Sequence, residues 1–272
     1  MYSLHKIAVS VLFIFTFSTL SAGDPYHIPA GAGESGMGSV CIMKTGFWSS
    51  FHNQALLAFN NSFSAGINYN NRFNISELGT RTAGIIIPAG NSSLGILYSN
   101  FGYNHFHRET AGLSCGIALS EMITAGVQID YFSERTSTEY GSRHFIICEA
   151  GLILLPKENL SIGIHIFNPV PNSVRKSFLP ATLRAGAGIK LNKVLFAGAE
   201  AEMSTGKKLI IRTGFEYEVY NRLLLRGGFC TDNTSFTFGL GYLLNTFQLD
   251  LGFATHEKLG ITSSVSLIFK IH

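Results

Sequence analysis

Charge is scarce in this chain, and so is any long apolar run beyond its first twenty or so residues. Lys, Arg, Asp and Glu make up 14% of 272 residues, against about a quarter in a soluble domain. That is too little to cover an ordinary water-facing surface. After the N-terminal segment no run of about 18 apolar residues occurs, which excludes a helical membrane span in the body of the chain. The four cysteines, Cys41, Cys115, Cys148 and Cys230, are far apart and none has CxxC spacing. Neither a zinc site nor a redox dithiol is indicated, and they read as small apolar side chains in strands. A formal charge of +3 with no Lys/Arg block excludes a nucleic-acid partner. Catalytic signatures are missing too. Gly33-Glu34-Ser35-Gly36 has the wrong spacing for a nucleophile elbow, and no P-loop, HExxH or dinucleotide fingerprint occurs. The expectation is a non-enzymatic chain with no cofactor. His105 and His107 lack a third ligand in view, so they read as a solvated loop pair and no metal is expected.

Against these absences stand 46% hydrophobic residues, 29 glycines and 12% aromatics. Apolar bulk without a spanning helix leaves a large soluble β-protein or a barrel whose apolar surface faces lipid. The first 22 residues point outward from the cytoplasm. His5 and Lys6 give a short positive start, Ile7 to Leu20 is apolar, and Ser21, Ala22 and Gly23 are small. This is the plan of a cleaved secretory signal over 1–22, with cleavage after Ala22 or Gly23 both open.

From residue 62 to the end, runs of about ten residues alternate apolar with small or polar, and turns of Asn, Gly, Lys, Glu or Ser interrupt them. Ile123, Ala125, Val127, Ile129 and Tyr131 interleave with Thr124, Gly126, Gln128 and Asp130. Phe236, Phe238, Leu240 and Tyr242 interleave with Thr237, Gly239 and Gly241. Period two sorts each set onto one face of a strand, where a helix would need period 3.6. About fourteen such runs occur, an even number, as single-chain bacterial barrels require. In Leu209–Val219 one face is apolar and the other carries Arg212, Glu216 and Glu218. A soluble sandwich would turn the apolar face inward, a barrel outward. The polar faces are dominated by Gly, Ser and Thr, and Tyr and Phe cluster toward strand ends. With the export signal, these features favour an all-β, transmembrane antiparallel β-barrel in the outer membrane, in contact with its lipid. A lumen of that width must be plugged or hydrated. Residues 168–178, with two prolines, read as a long extracellular loop, 133–142 as another polar loop, and 191–193 and 220–221 as short periplasmic turns.

Residues 30–59 break the strand rhythm. A glycine-dense stretch leads into Gly46–Ala58, which suits a short helix anchored by Phe47, Phe51, Leu56 and Leu57. Here the chain resembles the PorV/PorQ-type outer-membrane proteins of Bacteroidetes, relatives of the FadL-type barrels. Members begin with Gly-Met-Gly, present as Gly36-Met37-Gly38, followed by an aromatic-rich turn ending in Asn-Pro-Ala-Gly. This chain has Trp48 and then Asn53-Gln54-Ala55-Leu56, with Gln and Leu in place of Pro and Gly. Leu179-Pro180-Ala181-Thr182-Leu183-Arg184 is similar to the piece that opens a strand after a proline-containing loop. The resemblance implies a fourteen-stranded barrel whose N-terminal segment, 23–61, folds into the lumen as a plug. It also implies one of two functions: a type IX secretion-associated protein acting through secretion-system partners or secreted cargo, or a FadL-like channel for hydrophobic small molecules.

The secretion-associated reading is the first expectation and the channel the alternative. The channel would need an apolar pocket near Phe47, Trp48 and Phe51, and Asn53 joins these as a candidate plug residue. The charges Arg184, Glu200, Glu202, Arg212, Glu216 and Arg226, with Asp130, Glu149 and Asp250, should line the lumen. Unpaired charge off water is costly, so they are expected to form ion pairs that hold the plug. His165 should be a hydrogen-bonded lumen histidine.

Overall fold

The computed structural model describes residues 31–136, 141–170, 179–220 and 222–271. The expected signal segment, most of the 168–178 loop and residues 137–140 lie outside them. Fourteen strands form one closed antiparallel barrel in which each strand pairs with its sequence neighbours and the last with the first. They are β1 (Ser64–Asn71), β2 (Gly79–Ala89), β3 (Ser92–Tyr103), β4 (Phe106–Ala118), β5 (Ile123–Thr136), β6 (Ser142–Lys157) and β7 (Leu160–Phe167). β8 (Thr182–Lys190), β9 (Leu195–Ser204), β10 (Ile210–Val219), β11 (Leu223–Cys230), β12 (Ser235–Leu243), β13 (Phe247–His256) and β14 (Gly260–Lys270) complete it. Closure removes the unpaired edges that an open sheet would expose. The polar stretch 133–142 is shorter as a loop than its composition suggests. Ser133–Thr136 continue β5 and Ser142 opens β6, because pairing with β4 and β6 extends the strands past the membrane-facing band.

The strands turn most of their apolar side chains outward, while Ile86, Leu97, Phe132, Ile147 and Ile153 face in and are buried. One row runs around the wall through Ile129, Leu113, Ile96 and Ile85, each the cross-strand partner of the next. Leu113 is 66% exposed and Ile129 58%. Phe238 opposite Phe253 and Leu240 opposite Leu251 continue the surface on β12 and β13. The alternate residues, Thr80, Thr82, Ser99, Gln128, Asp130, Arg184 and Glu200 among them, are buried inside. A water-soluble sandwich would show the opposite sorting, so the barrel spans a membrane with its apolar face to lipid. No helix among the described residues is long and apolar enough to cross one.

The chain enters β1 and leaves β14 at the same end, where the turns β2–β3, β4–β5, β6–β7, β8–β9, β10–β11 and β12–β13 also lie. These include the expected turn at 191–193, and Tyr220 of the expected turn at 220–221 lies at this end too. The longer connections cluster at the opposite end. One of them, β7–β8, has its two ends tied by the Asn168 side-chain amide, which donates to the Leu179 carbonyl at 2.9 Å.

The β6–β7 ladder has one irregularity. Leu154 pairs with Ile162 and Lys157 with Leu160, so two residues of β6, Leu155 and Pro156, oppose Ser161 alone. Proline has no N–H to give the ladder, and a bulge is one of the few places a strand accommodates it.

Leu113→Arg would place a charge on the mid-strand lipid face and is expected to cost about 2–4 kcal/mol. Reversible denaturant titration in phospholipid vesicles measures this, and the same change at exposed loop residue Ile75 should cost far less.

Candidate functional site

The lumen is filled by the chain's own N-terminal segment. Helix α1 (Ala32–Gly36) leads to two 3-10 helices, Ser49–Phe51 and Gln54–Phe59. The single helix expected over Gly46–Ala58 is therefore two short pieces. Asn53 sits in extended backbone between them and caps the second, its side-chain oxygen accepting the Ala55 N–H at 3.2 Å. Together these pieces form a plug spread across the inside of the wall.

Space for the plug comes from glycines on the inward faces of the strands. A Cβ on Gly214 would lie 2.1 Å from the Met37 carbonyl oxygen, one on Gly252 2.2 Å from that of Ala32, and one on Gly151 2.0 Å from Asn53 Oδ1. Gly126 and Gly163 face the backbones of Gln54 and Ile42 just as closely. Within the plug, Gly38 adopts φ 69° while its backbone touches β10 and β11, a conformation and an approach that both favour glycine.

Polar groups of the wall then bind the plug's backbone. The Gly38 N–H donates to Thr237 Oγ1 at 2.7 Å, and that hydroxyl donates to the Gly36 carbonyl at 3.1 Å. Glu200 Oε1 accepts the N–H groups of both Cys41 and Ile42, the latter at 2.8 Å. Arg184 bonds to the other Glu200 oxygen and donates to the Ser39 carbonyl at 3.0 Å. Glu202, 3.8 Å from Arg184, joins this group and holds Arg212 at 2.8 Å. A second group forms around Arg226, which binds Glu216 at 2.6 Å and Asp250 at 2.7 Å. Glu216 also holds plug residue Lys44 at 3.0 Å. The six charges selected from sequence thus form two separate clusters, each with a direct hold on the plug. A third contact has no motif to announce it in the sequence: the Gln54 side chain donates to Glu149 Oε2 at 2.8 Å, and His165 Nε2 lies 3.0 Å from the same oxygen. The Asn53 amide donates to the Ile42 carbonyl at 2.7 Å and reaches the Ile164 carbonyl of β7 at 3.3 Å.

Phe47, Trp48 and Phe51 form one edge-to-face and tilted ring cluster, with centroids 4.8, 5.6 and 6.1 Å apart. They are buried against Ile86, Leu97 and Ile268 on the β14–β3 side. Inside the plug, Ser49 donates to Glu34 at 2.9 Å, and burial pushes the Glu34 carboxyl above its ordinary value. Burial likewise pushes the Cys41 thiol up to about 12. Cys41 therefore sits in the plug as a neutral thiol, whereas Cys115, Cys148 and Cys230 lie in strands, and all four are free. The strand placement expected for Cys41 does not hold, because Glu200 draws the glycine-rich segment around it inward. His107 belongs to β4 rather than to a loop, 3.2 Å from Glu109 and 3.1 Å from the Asn100 amide. Among the described residues no cluster of three or more His, Cys, Asp or Glu is placed to hold a metal.

The plug does not fill the lumen evenly. A cavity of about 180 Å³ remains where Met43, Leu56 and Phe59 face Ile153, Leu155 and Phe196, with Glu158 and Lys190 at its rim.

Three solved structures share this architecture. The toluene transporter TbuX of Ralstonia pickettii matches 89% of this chain and 98% of its own at 12% identity, with a TM-score of 0.67. A Pseudomonas aeruginosa FadL homologue matches 90% of this chain and 99% of its own at 12% identity, with a TM-score of 0.67. The CymD monoaromatic hydrocarbon channel matches 89% and 98% at 12% identity, with a TM-score of 0.68. This chain has the fold of FadL-like outer-membrane barrels. No family model and no curated protein matches its sequence.

Glu200→Ala leaves buried Arg184 with Glu202, 3.8 Å away, as its ion-pair partner and frees two plug N–H groups, and should cost about 3 kcal/mol. The plug should then become cleavable by trypsin after Lys44 in the otherwise folded barrel. A cleavage rate equal to that of Glu77→Ala, a change in an exposed loop, would show that Glu200 does not anchor it.

Proposed function

We propose that this chain is a non-enzymatic outer-membrane channel that admits small hydrophobic molecules, with its short-turn end in the periplasm. The observation that carries this reading is a lipid-facing fourteen-strand barrel closed by an internal plug that leaves an apolar cavity at its seam. A water-filled pore would suit hydrophilic solutes, whereas a plugged lumen with an apolar cavity favours passage of apolar ones along packed side chains. The structural neighbours carry the names of toluene and monoaromatic hydrocarbon channels, which favours this reading over type IX secretion. In this reading the Arg184 and Arg226 clusters and Asn53 hold the plug closed. The Phe47, Trp48 and Phe51 rings are the part of it that must shift or be skirted as a molecule passes.

The outer leaflet of an intact outer membrane slows hydrophobic solutes, so the test is made in cells. Cells expressing the chain should take up radiolabelled toluene faster than cells carrying an empty vector. Equal rates would remove the transport reading. Accumulation of uncleaved secreted cargo on deletion of the gene would restore the secretion reading.

A further inference from the structure

Four arginines face the lumen with carboxylate partners: Arg108 holds Glu134, Arg184 holds Glu200, Arg212 holds Glu202, and Arg226 holds Glu216 and Asp250. Two arginines on the outer face of the same wall have none. Arg81 continues the outward series of Ile85 and Ala83 on β2, and Arg135 that of Ile129 and Tyr131 on β5. Both are exposed, and neither is ion-paired among the described residues. Their level on the wall is defined by the rows below them. Ala83, Tyr98, Ala111 and Tyr131 are successive cross-strand partners, and the two tyrosines mark the aromatic girdle at the edge of the apolar band. The next outward row toward the long connections is Arg81, Asn100, Glu109, Ser133 and His144, with Arg135 one row higher. None of these is apolar. On β8, β9, β10 and β12 the outward residue nearest the same end is instead Leu183, Met203, Ile211 and Phe236. The polar zone is therefore confined to β2–β6, and it continues the lipid-facing surface directly.

We propose that this outer face of β2–β6 binds a phosphorylated glycolipid of the outer leaflet, with Arg81 and Arg135 each holding a phosphate and the row between them meeting the sugar. The site rests on the orientation given above, with the long connections outside, and is independent of what the lumen carries. Outward side chains just above the girdle meet lipid headgroups, and cations there are attracted to an anionic leaflet. The guanidinium fork matches phosphate oxygens in pairs. Three strand intervals separate the two arginines, roughly 14 Å at 4.7–4.9 Å each, which suits a disaccharide with a phosphate at either end. The groups between them are an amide, a hydroxyl and an imidazole, which suit sugar hydroxyls. The one carboxylate in the row does not oppose this, because Glu109 already accepts the Tyr98 hydroxyl at 2.7 Å and lies 3.2 Å from His107. A phosphodiester lipid, with one anionic group and no sugar, would leave one arginine and the neutral row unanswered.

Diphosphoryl lipid A is the probe, added to the purified full chain in neutral detergent and read as retained lipid by native mass spectrometry. The wild type should hold one molecule more tightly than phosphatidylglycerol by about tenfold or more, with the monophosphoryl form between them. Arg81→Gln combined with Arg135→Gln should weaken diphosphoryl binding by about tenfold and erase the difference between the two forms, while heat-modifiable gel migration shows a folded barrel. Lys208→Gln combined with Lys258→Gln removes the same charge from the β9–β10 and β13–β14 connections at the same end. It should change binding by less than about twofold, since distant exposed charges are screened. Equal affinity for phosphatidylglycerol, or equal losses in the two double variants, would overturn the site. Displacement of the lipid by equimolar inorganic pyrophosphate would make it a site for free anions and overturn the glycolipid. Orientation is read separately, from labelling of Lys258→Cys in intact cells by a membrane-impermeant maleimide. Absence of labelling would put the patch against the inner leaflet and overturn the proposal. Toluene uptake without lipid retention removes this site and leaves the channel, and retention without uptake does the reverse.

Discussion

The backbone of the plug lies directly against the backbone of the barrel wall, and most other features of the molecule depend on that approach. Two main chains come so close only where no Cβ intervenes. Gly126, Gly151, Gly163, Gly214 and Gly252 clear the inner faces of β5, β6, β7, β10 and β13 along the plug's path. With side chains absent, the plug's amides and carbonyls must find partners in the wall. Glu200, Arg184 and Thr237 supply them. The lumen is thus closed by packing and hydrogen bonding rather than by one bulky residue.

Electrostatics reinforces this arrangement instead of lining an aqueous path. Arg184, Glu200, Glu202 and Arg212 are nearly solvent-free, and such charges persist only when paired and hydrogen-bonded. Their surplus bonding capacity goes to the plug. The same holds for Arg226, Glu216 and Asp250, which reach it through Lys44. Two charge clusters on β8–β10 and β10–β13 hold one flank of the plug, and the Phe47–Trp48–Phe51 ring cluster packs the other. Beside β6 and β7, toward the short-turn end, the plug leaves a cavity unfilled.

Much of the barrel could be read from residue order. The fourteen strands fall within a few residues of the runs of alternating polarity, and the lumen charges were recognisable because each interrupts an otherwise small or apolar minor face. The 3-10 conformation of the plug was not legible. Its turns are set by Asn53 bonding to Ile42 and by contacts with strands a hundred residues away, not by local propensity. The glycines illustrate the same limit. Sequence marks them as small residues on a polar face, and nothing in it tells which ones face a backbone.

The sequence by itself determined that this chain alternates with period two over most of its length, with too little charge to face water. With the export segment and the small-residue polar faces, those two facts favour lipid on one side and so a closed sheet, because a strand crossing lipid must have every backbone group paired. Only the tertiary structure decided what occupies the lumen and where it is imperfectly filled. The pairing of Cys41 and Ile42 with Glu200 joins residues about 160 positions apart. The extra residue at Leu155–Pro156 likewise exists only against the register of β7. Local pattern reflects the medium each face meets, whereas contacts between distant segments depend on how the whole ring closes.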